Sequence, residues 1–339
     1  MFLNGREYKK SEIMRLVGDI SQIGGIKKYT VNEGKAKGMT AFEVSNGAGI
    51  QFTVLPDRGF DISHCNFMGD SLAWISKTGE VAPQFYEKDG DSLMRSFFGG
   101  LLSTCGLRNV GASCECDGEN FGQHGRISNI PAENVFAHEE WIENDYVLQL
   151  GGEMRESAVF GENIVLRRKI SLKLGENKIK ISDKIINEGF RKEGICLLYH
   201  MNFGFPLISE TSKLTLPKAK SIMPVGQYSD EDVKNHINLS GAIHDYKEQC
   251  YFYDFVDDEV DIKLENPKSV KFRSLVIKYN KKELPCFTTW KQFGEGDYVL
   301  GIEPGTTFPM GRSNSQRKGF LIELQPFEEK NFNIELIIE

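Results

Sequence analysis

The stretch "VLRRKISLKLGENKIKISDKIIN", residues 165 to 187, decides the fold class. Ile170, Leu172 and Leu174 alternate with polar residues up to Gly175-Glu176-Asn177, and Ile179, Ile181 and Ile185 then resume the alternation. Successive side chains of a strand point to opposite faces, so this pattern reads as two strands sharing one apolar face and joined by a tight turn. "TAFEVSNGAGIQFTVLP" (40–56), "SLVIKYNKKELPCFTTW" (274–290) and "GFLIELQPFEEKNFNIELII" (319–338) repeat the arrangement. Helical spacing is confined to "KKSEIMRLVGDI" (9–20), through Ile13, Leu16, Val17 and Ile20, and to "SDEDVKNHI" (229–237). No linker, internal repeat or low-complexity tract divides the chain. The pattern predicts an all-β protein: one domain over residues 1–339, two antiparallel sheets face to face, and an N-terminal extension (1–38) with a short helix.

The totals agree with a large packed core. Of 339 residues 40% are hydrophobic, and 23 Phe and 11 Tyr against 3 Trp suit packed sheets. The net charge of -7 argues against nucleic acid, which calls for a basic stripe. Seven cysteines, none in a C-x-x-C pair, read as reduced thiols. With neither a secretion signal nor a run of ~20 apolar residues, the expected setting is the cytoplasm, with no membrane partner.

Several stretches look unusual for scaffold. In "ICLLYHMNFGFPLI" (195–208), Cys196, Leu198, His200 and Asn202 share one face of an apolar strand. An unpaired polar group there costs roughly 1–3 kcal/mol, so His200 and Asn202 need partners or a purpose. In "YVLGIEP", Glu303 shares a face with Gly301 and Val299, where a glycine leaves room above the carboxylate. Trp290, on the preceding strand, is suited to stacking on a sugar ring. "FFGGLLSTCGLRNVG" and "ENFGQHGRISNIPAE" set Arg108, His124 and Arg126 among glycines, which let backbone approach a ligand closely. In "VLPDRGFDIS" (54–63), Arg58 either presents its donor fork to a ligand or pairs with Asp61 in a turn capped by Asp57. A histidine and a glutamate on separate inner-facing strands are the minimal equipment for general acid–base chemistry. No phosphate-binding loop, dinucleotide fingerprint or nucleophile elbow competes with them.

Taken in order, these motifs resemble the aldose 1-epimerase (galactose mutarotase-like) superfamily, and most closely its DUF4432 branch. "STCGLRNVG…QHGRIS", "LLYHMNFGFPL" and "LGIEPGT" resemble its Arg/Asn-then-His-Gly signature, histidine strand and glutamate strand, and "LPDRGFDI" resembles the branch in particular. The resemblance implies an antiparallel super-sandwich with a sugar cleft across one sheet. It further implies Glu303 as general base, His200 as general acid, and His124 and Arg108 as substrate-binding groups, to which Arg58, Arg126, Asn202 and Trp290 are added here. The implied reaction is interconversion of sugar anomers by ring opening and closure, with no metal or organic cofactor. The expected partner is a small-molecule sugar, with a homodimer allowed. "HGR" in place of the family's usual "HGG", and Pro-Gly-Thr after Glu303, leave the sugar unnamed.

Two alternatives stay open at this stage. One is a non-catalytic sugar-binding or sensing protein on the same fold. The other is a metal-dependent sugar isomerase or epimerase with His124, His200 and Glu303 as ligands, residue types suited to Zn or Mn.

Overall fold

The computed structural model describes residues 1–226 and 228–339. The deciding stretch forms the strands Asn163–Lys173 and Lys178–Asn187, paired antiparallel with Ile170 opposite Ile181. The six alternating apolar residues named above are all buried. The turn between the strands needs a glycine: Gly175 has φ +84°, and a Cβ there would lie 2.3 Å from the Phe2 carbonyl oxygen.

These two strands sit inside an eight-stranded sheet that runs Glu133–Ile142, Asp145–Ser157, Asn163–Lys173, Lys178–Asn187, Glu329–Ile338, Ser274–Asn280, Glu259–Glu265, Lys213–Thr215. A seven-stranded sheet runs Ala219–Pro224, Gln249–Phe255, Cys286–Gly294, Asp297–Gly305, Glu193–Phe203, Ile322–Leu324, with Ser103–Leu107 also paired to Glu193–Phe203. A five-stranded sheet covers Gly25–Thr30 to Asp70–Ser71. One apolar cluster joins the three sheets, with Ile170, Ile181 and Leu336 from the first, Tyr199, Phe287 and Ile302 from the second, and Phe52 and Ile62 from the third. The architecture is the expected all-β sandwich, with three short α-helices among the described residues.

The N-terminal region differs from the expectation in two respects. Its helix spans only Lys10–Ile13, with Leu16 exposed and Gly18 following, so the apolar spacing ends after little more than one turn. Within the expected extension, Gly25–Thr30 is a strand antiparallel to Thr40–Ser45, and the sheet therefore begins earlier than residue 39. The 229–237 helix does form, over Asp230–Lys234, with Ser229 accepting from the Asp232 amide as N-cap. The helix Arg312–Arg317 has no apolar periodicity by which the sequence could announce it.

The seven-stranded sheet positions the chemistry by its two-residue alternation. Leu197, Tyr199, Met201 and Phe203 face the core, as do Leu300 and Ile302 on the neighbouring strand. His200, Asn202, Gly301 and Glu303 consequently face the other way.

Candidate active-site cleft

On that outward face lies a cleft of about 610 Å³, whose lining includes Trp74, Phe97, Gln123, His124, His200, Trp290 and Glu303. His200 comes from Glu193–Phe203, Glu303 from Asp297–Gly305 and Trp290 from Cys286–Gly294, three adjacent strands of one sheet. His200 Nε2 stands 3.4 Å from Glu303 Oε1, with both side chains almost wholly buried. Aromatic rings enclose the imidazole, with centroids at 5.3 Å (Phe97), 5.4 Å (Trp290) and 5.6 Å (His124).

Gly301 is what lets Glu303 sit there. A Cβ at Gly301 would fall 2.5 Å from Glu303 Oε1, so the space left by the glycine holds the carboxyl group itself, leaning back along its own strand. His124 occupies the left-handed region at φ +56° and accepts from the Gly111 amide through Nδ1 at 3.3 Å. Gly125 follows it because a Cβ would meet the Gly106 oxygen at 2.2 Å.

Unsatisfied polar atoms concentrate at this cleft. Buried atoms without a hydrogen-bond partner include His200 Nδ1, Glu303 Oε1 and Gln123 Oε1 of the lining, with Asn202 Oδ1 and Thr288 Oγ1 close behind. Thr288 is the cross-strand neighbour of Glu303, and Asn202 donates to the His200 and Gly100 carbonyls. Cavities of about 670 and 710 Å³ exist elsewhere, but among the described residues none lining either has such an orphaned atom. Native proteins leave few buried polar groups unpaired, so this concentration singles the cleft out as the candidate site.

Burial governs the electrostatics. It pushes the Glu303 carboxyl up to about 8 and, helped by His124, drags His200 down to about 3. His124 is lowered to about 4 by the same cause. This reverses the order expected from sequence, in which a facing carboxylate was to favour imidazolium: loss of solvent outweighs the attraction, and the cleft holds a carboxylic acid beside a neutral imidazole.

Sequence-based candidates divide cleanly. His124, His200, Trp290 and Glu303 meet in the cleft, with Asn202 behind His200. The three arginines do not, and their expected sugar contacts are corrected accordingly. Arg58 is buried and donates to the carbonyls of Ser128 (2.7 Å), Ser96 (3.2 Å) and Val81, while Asp61 pairs with Arg168 instead of with it. Asp57 does not cap the turn as expected: its carboxylate accepts from the Thr40 amide, 17 residues away in the chain. Arg108 pairs with Glu119 at 2.6 Å and Glu162 at 3.4 Å. Arg126 lines a separate pocket with Tyr86 and Glu156. Trp74, Phe97 and Gln123 escaped the sequence reading. Gln123 adjoins His124 in "QHGR", and that adjacency was the one available signal. Among the described residues no three His, Cys, Asp or Glu side chains are grouped to hold a metal ion, and no helix is long and apolar enough to cross a membrane.

The comparisons with known proteins bear on the family and the fold. The family model described as domain of unknown function DUF4432 matches residues 36–338. A candidate aldose 1-epimerase from Klebsiella pneumoniae superposes with a TM-score of 0.86 at 22% identity, covering 92% of this chain and 83% of its own. The galactose 1-epimerase of Lactobacillus acidophilus gives 0.60 at 14% identity, over 93% of this chain and 99% of its own. A galactose mutarotase-like protein from Clostridium acetobutylicum gives 0.63 at 13% identity, over 94% and 99%. No curated protein matches the sequence. At these identities the structural likeness speaks for the fold, and the sequence match speaks for the family: the chain belongs to the DUF4432 family, on a galactose mutarotase-like sandwich.

Proposed function

We propose that the protein is a sugar-binding isomerase of the aldose 1-epimerase type, with residues 1–339 acting as one such unit. The observation that carries this reading is the His200–Glu303 pair, 3.4 Å apart, buried in an aromatic cleft and left without other partners. Anomer exchange needs one group to take the C1 hydroxyl proton and another to deliver a proton to the ring oxygen. The ring then opens to an aldehyde, which turns about C1–C2 and recloses on its other face.

The pair carries the same number of protons as acid plus imidazole or as carboxylate plus imidazolium. Burial favours the first form in the cleft. Sugar hydroxyls entering the cleft supply the hydrogen bonds that an ionised carboxylate needs, and the Glu303 proton passes to His200 Nε2. Glu303 then acts as base and His200 as acid, each positioned group contributing roughly 10²–10⁴-fold. His124, Gln123 and the wall of Trp74, Phe97 and Trp290 would hold the sugar.

An NMR anomer-exchange screen over free aldoses tests the reading, first with the native protein and then with His200→Asn. Acceleration of at least one sugar, lost by at least about a hundredfold in a folded His200→Asn protein, is the expected result. An unaltered rate in that variant would move the acid elsewhere, with His124 the first candidate. The native profile should be bell-shaped. Its limbs report the loss of the pair's one proton near about 8 and the uptake of a second near about 3.

A further inference from the structure

The charge of the cleft points to a substrate class. Beside the reacting pair, its lining carries three carboxylates, Asp91, Glu248 and Asp297, against one ammonium, Lys77. Lys77 is already held by Asp297 at 2.7 Å, which leaves Asp91 and Glu248 uncompensated. Asp91 receives only a long hydrogen bond from Ser113 Oγ at 3.5 Å. Glu248 accepts from Trp290 Nε1 at 3.0 Å, which fixes a carboxylate at the edge of the aromatic wall. Among the described residues no arginine lines the cleft, because Arg58, Arg108 and Arg126 are turned to carbonyls, to Glu119 and Glu162, and into another pocket. Independently of these surface carboxylates, the buried Glu303 Oε1 and Gln123 Oε1 face the cleft as acceptors without donors.

Among the described residues of the lining, a phosphate, sulfonate or uronate would therefore meet no free cation and two like charges. A protonated amine would meet two acceptors of opposite charge and π-faces from Trp74, Phe97 and Trp290, surfaces that attract cations. We propose that the cleft selects an aldose bearing a protonated amine over its neutral parent and excludes anionic sugars, with Asp91 and Glu248 setting that order. The proposal rests on the isomerase reading for the location of the sugar, and deepens it by naming the class.

The test measures both binding and anomer exchange on the full chain, at low salt and mildly acidic pH. The probes are D-glucose, D-galactose and D-mannose, their 2-amino-2-deoxy counterparts and their 6-phosphates. Two uncompensated carboxylates at the cleft mouth should favour the amino sugar about tenfold in Kd in at least one series, with no binding of the phosphate. Raising the salt should narrow the gap. Glu248→Gln keeps an acceptor for Trp290 and should bring the amino-to-neutral ratio toward one. Equal binding of amino sugar and parent, or binding of the phosphate as tightly as the parent, overturns the proposal. Exchange of the neutral parent with no gain for the amino sugar overturns it while leaving the isomerase reading standing. Tight amino-sugar binding without accelerated exchange does the reverse, and a cleft that binds none of the probes overturns both.

Discussion

Two groups of buried ionisable side chains sit back to back across the strand Glu193–Phe203, and they are built on opposite terms. On the core side, Arg168 chelates Asp183 at 2.9 and 2.6 Å and reaches Asp61 at 2.8 Å. Tyr199 completes Asp183 at 2.8 Å, and Thr104 completes Asp61 through both its hydroxyl and its amide. On the cleft side, one residue further along, His200 faces Glu303 with little else to bond to. Both arrangements are almost wholly buried. What separates them is satisfaction: the first network closes on itself and ties three sheets together, while the second leaves valences open toward a cavity. Burial of charge alone is thus no mark of function. A buried titratable pair that still lacks partners is the stronger candidate, and it is the one to which the proposed function assigns the chemistry.

Breaking the closed network should produce the largest effect on stability. Arg168→Met leaves Asp61 and Asp183 buried without their cation and should cost about 3–5 kcal/mol in urea unfolding. Asp61 is already raised to about 6 by burial even with Arg168 beside it, so without that cation it takes up a proton near neutral pH, and the cost should grow as pH rises. A cost below about 1 kcal/mol would show that the network does not tie the sheets. Arg58→Met should follow at about 2–3 kcal/mol, since it orphans the carbonyls of Val81, Ser96 and Ser128, while sugar affinity of the folded protein stays the same. Normal stability with weakened sugar binding would return Arg58 to the cleft.

A smaller effect distinguishes the open pair through pH. Glu303 titrates near about 8 when folded and near its ordinary 4.5 when unfolded. Below 4.5 both states hold the proton; between the two values only the folded state does, so stability falls as pH rises through that window. His200 acts oppositely: its folded value of about 3 against the usual 6.5 removes stability as pH falls from 6.5 toward 3. Because Asp61 and Glu156 also carry raised values, the contribution is read as a difference. Glu303→Gln should flatten the alkaline fall relative to the native protein. Parallel curves would mean that Glu303 ionises normally.

The sequence made the sandwich and the pair legible for the same reason. Alternation is a local property, and it puts Ile170 and Ile181 in the core as surely as it puts His200 and Glu303 on the opposite face of their sheet. The arginines failed because nothing local says where a long side chain ends. Arg58 is satisfied by carbonyls 23 to 70 residues away, and Arg108 by Glu119 from the next hairpin. Trp74, Asp91 and Glu248 reach the cleft from loops, where no period marks the inward face. The acid–base order was misjudged because desolvation depends on how completely the fold closes over a residue, which the chain does not spell out.

The most direct measurement is the anomer-exchange rate of a folded Glu303→Gln protein on whichever aldose the native protein accelerates. The amide fills the same space over Gly301 but can neither hold nor accept the proton of the pair. The expected result is a native-like melting curve, retained sugar binding, and exchange slowed by at least about a hundredfold. Exchange at the native rate in that variant, with the native alkaline limb still near about 8, would contradict the assignment of the chemistry to His200 and Glu303.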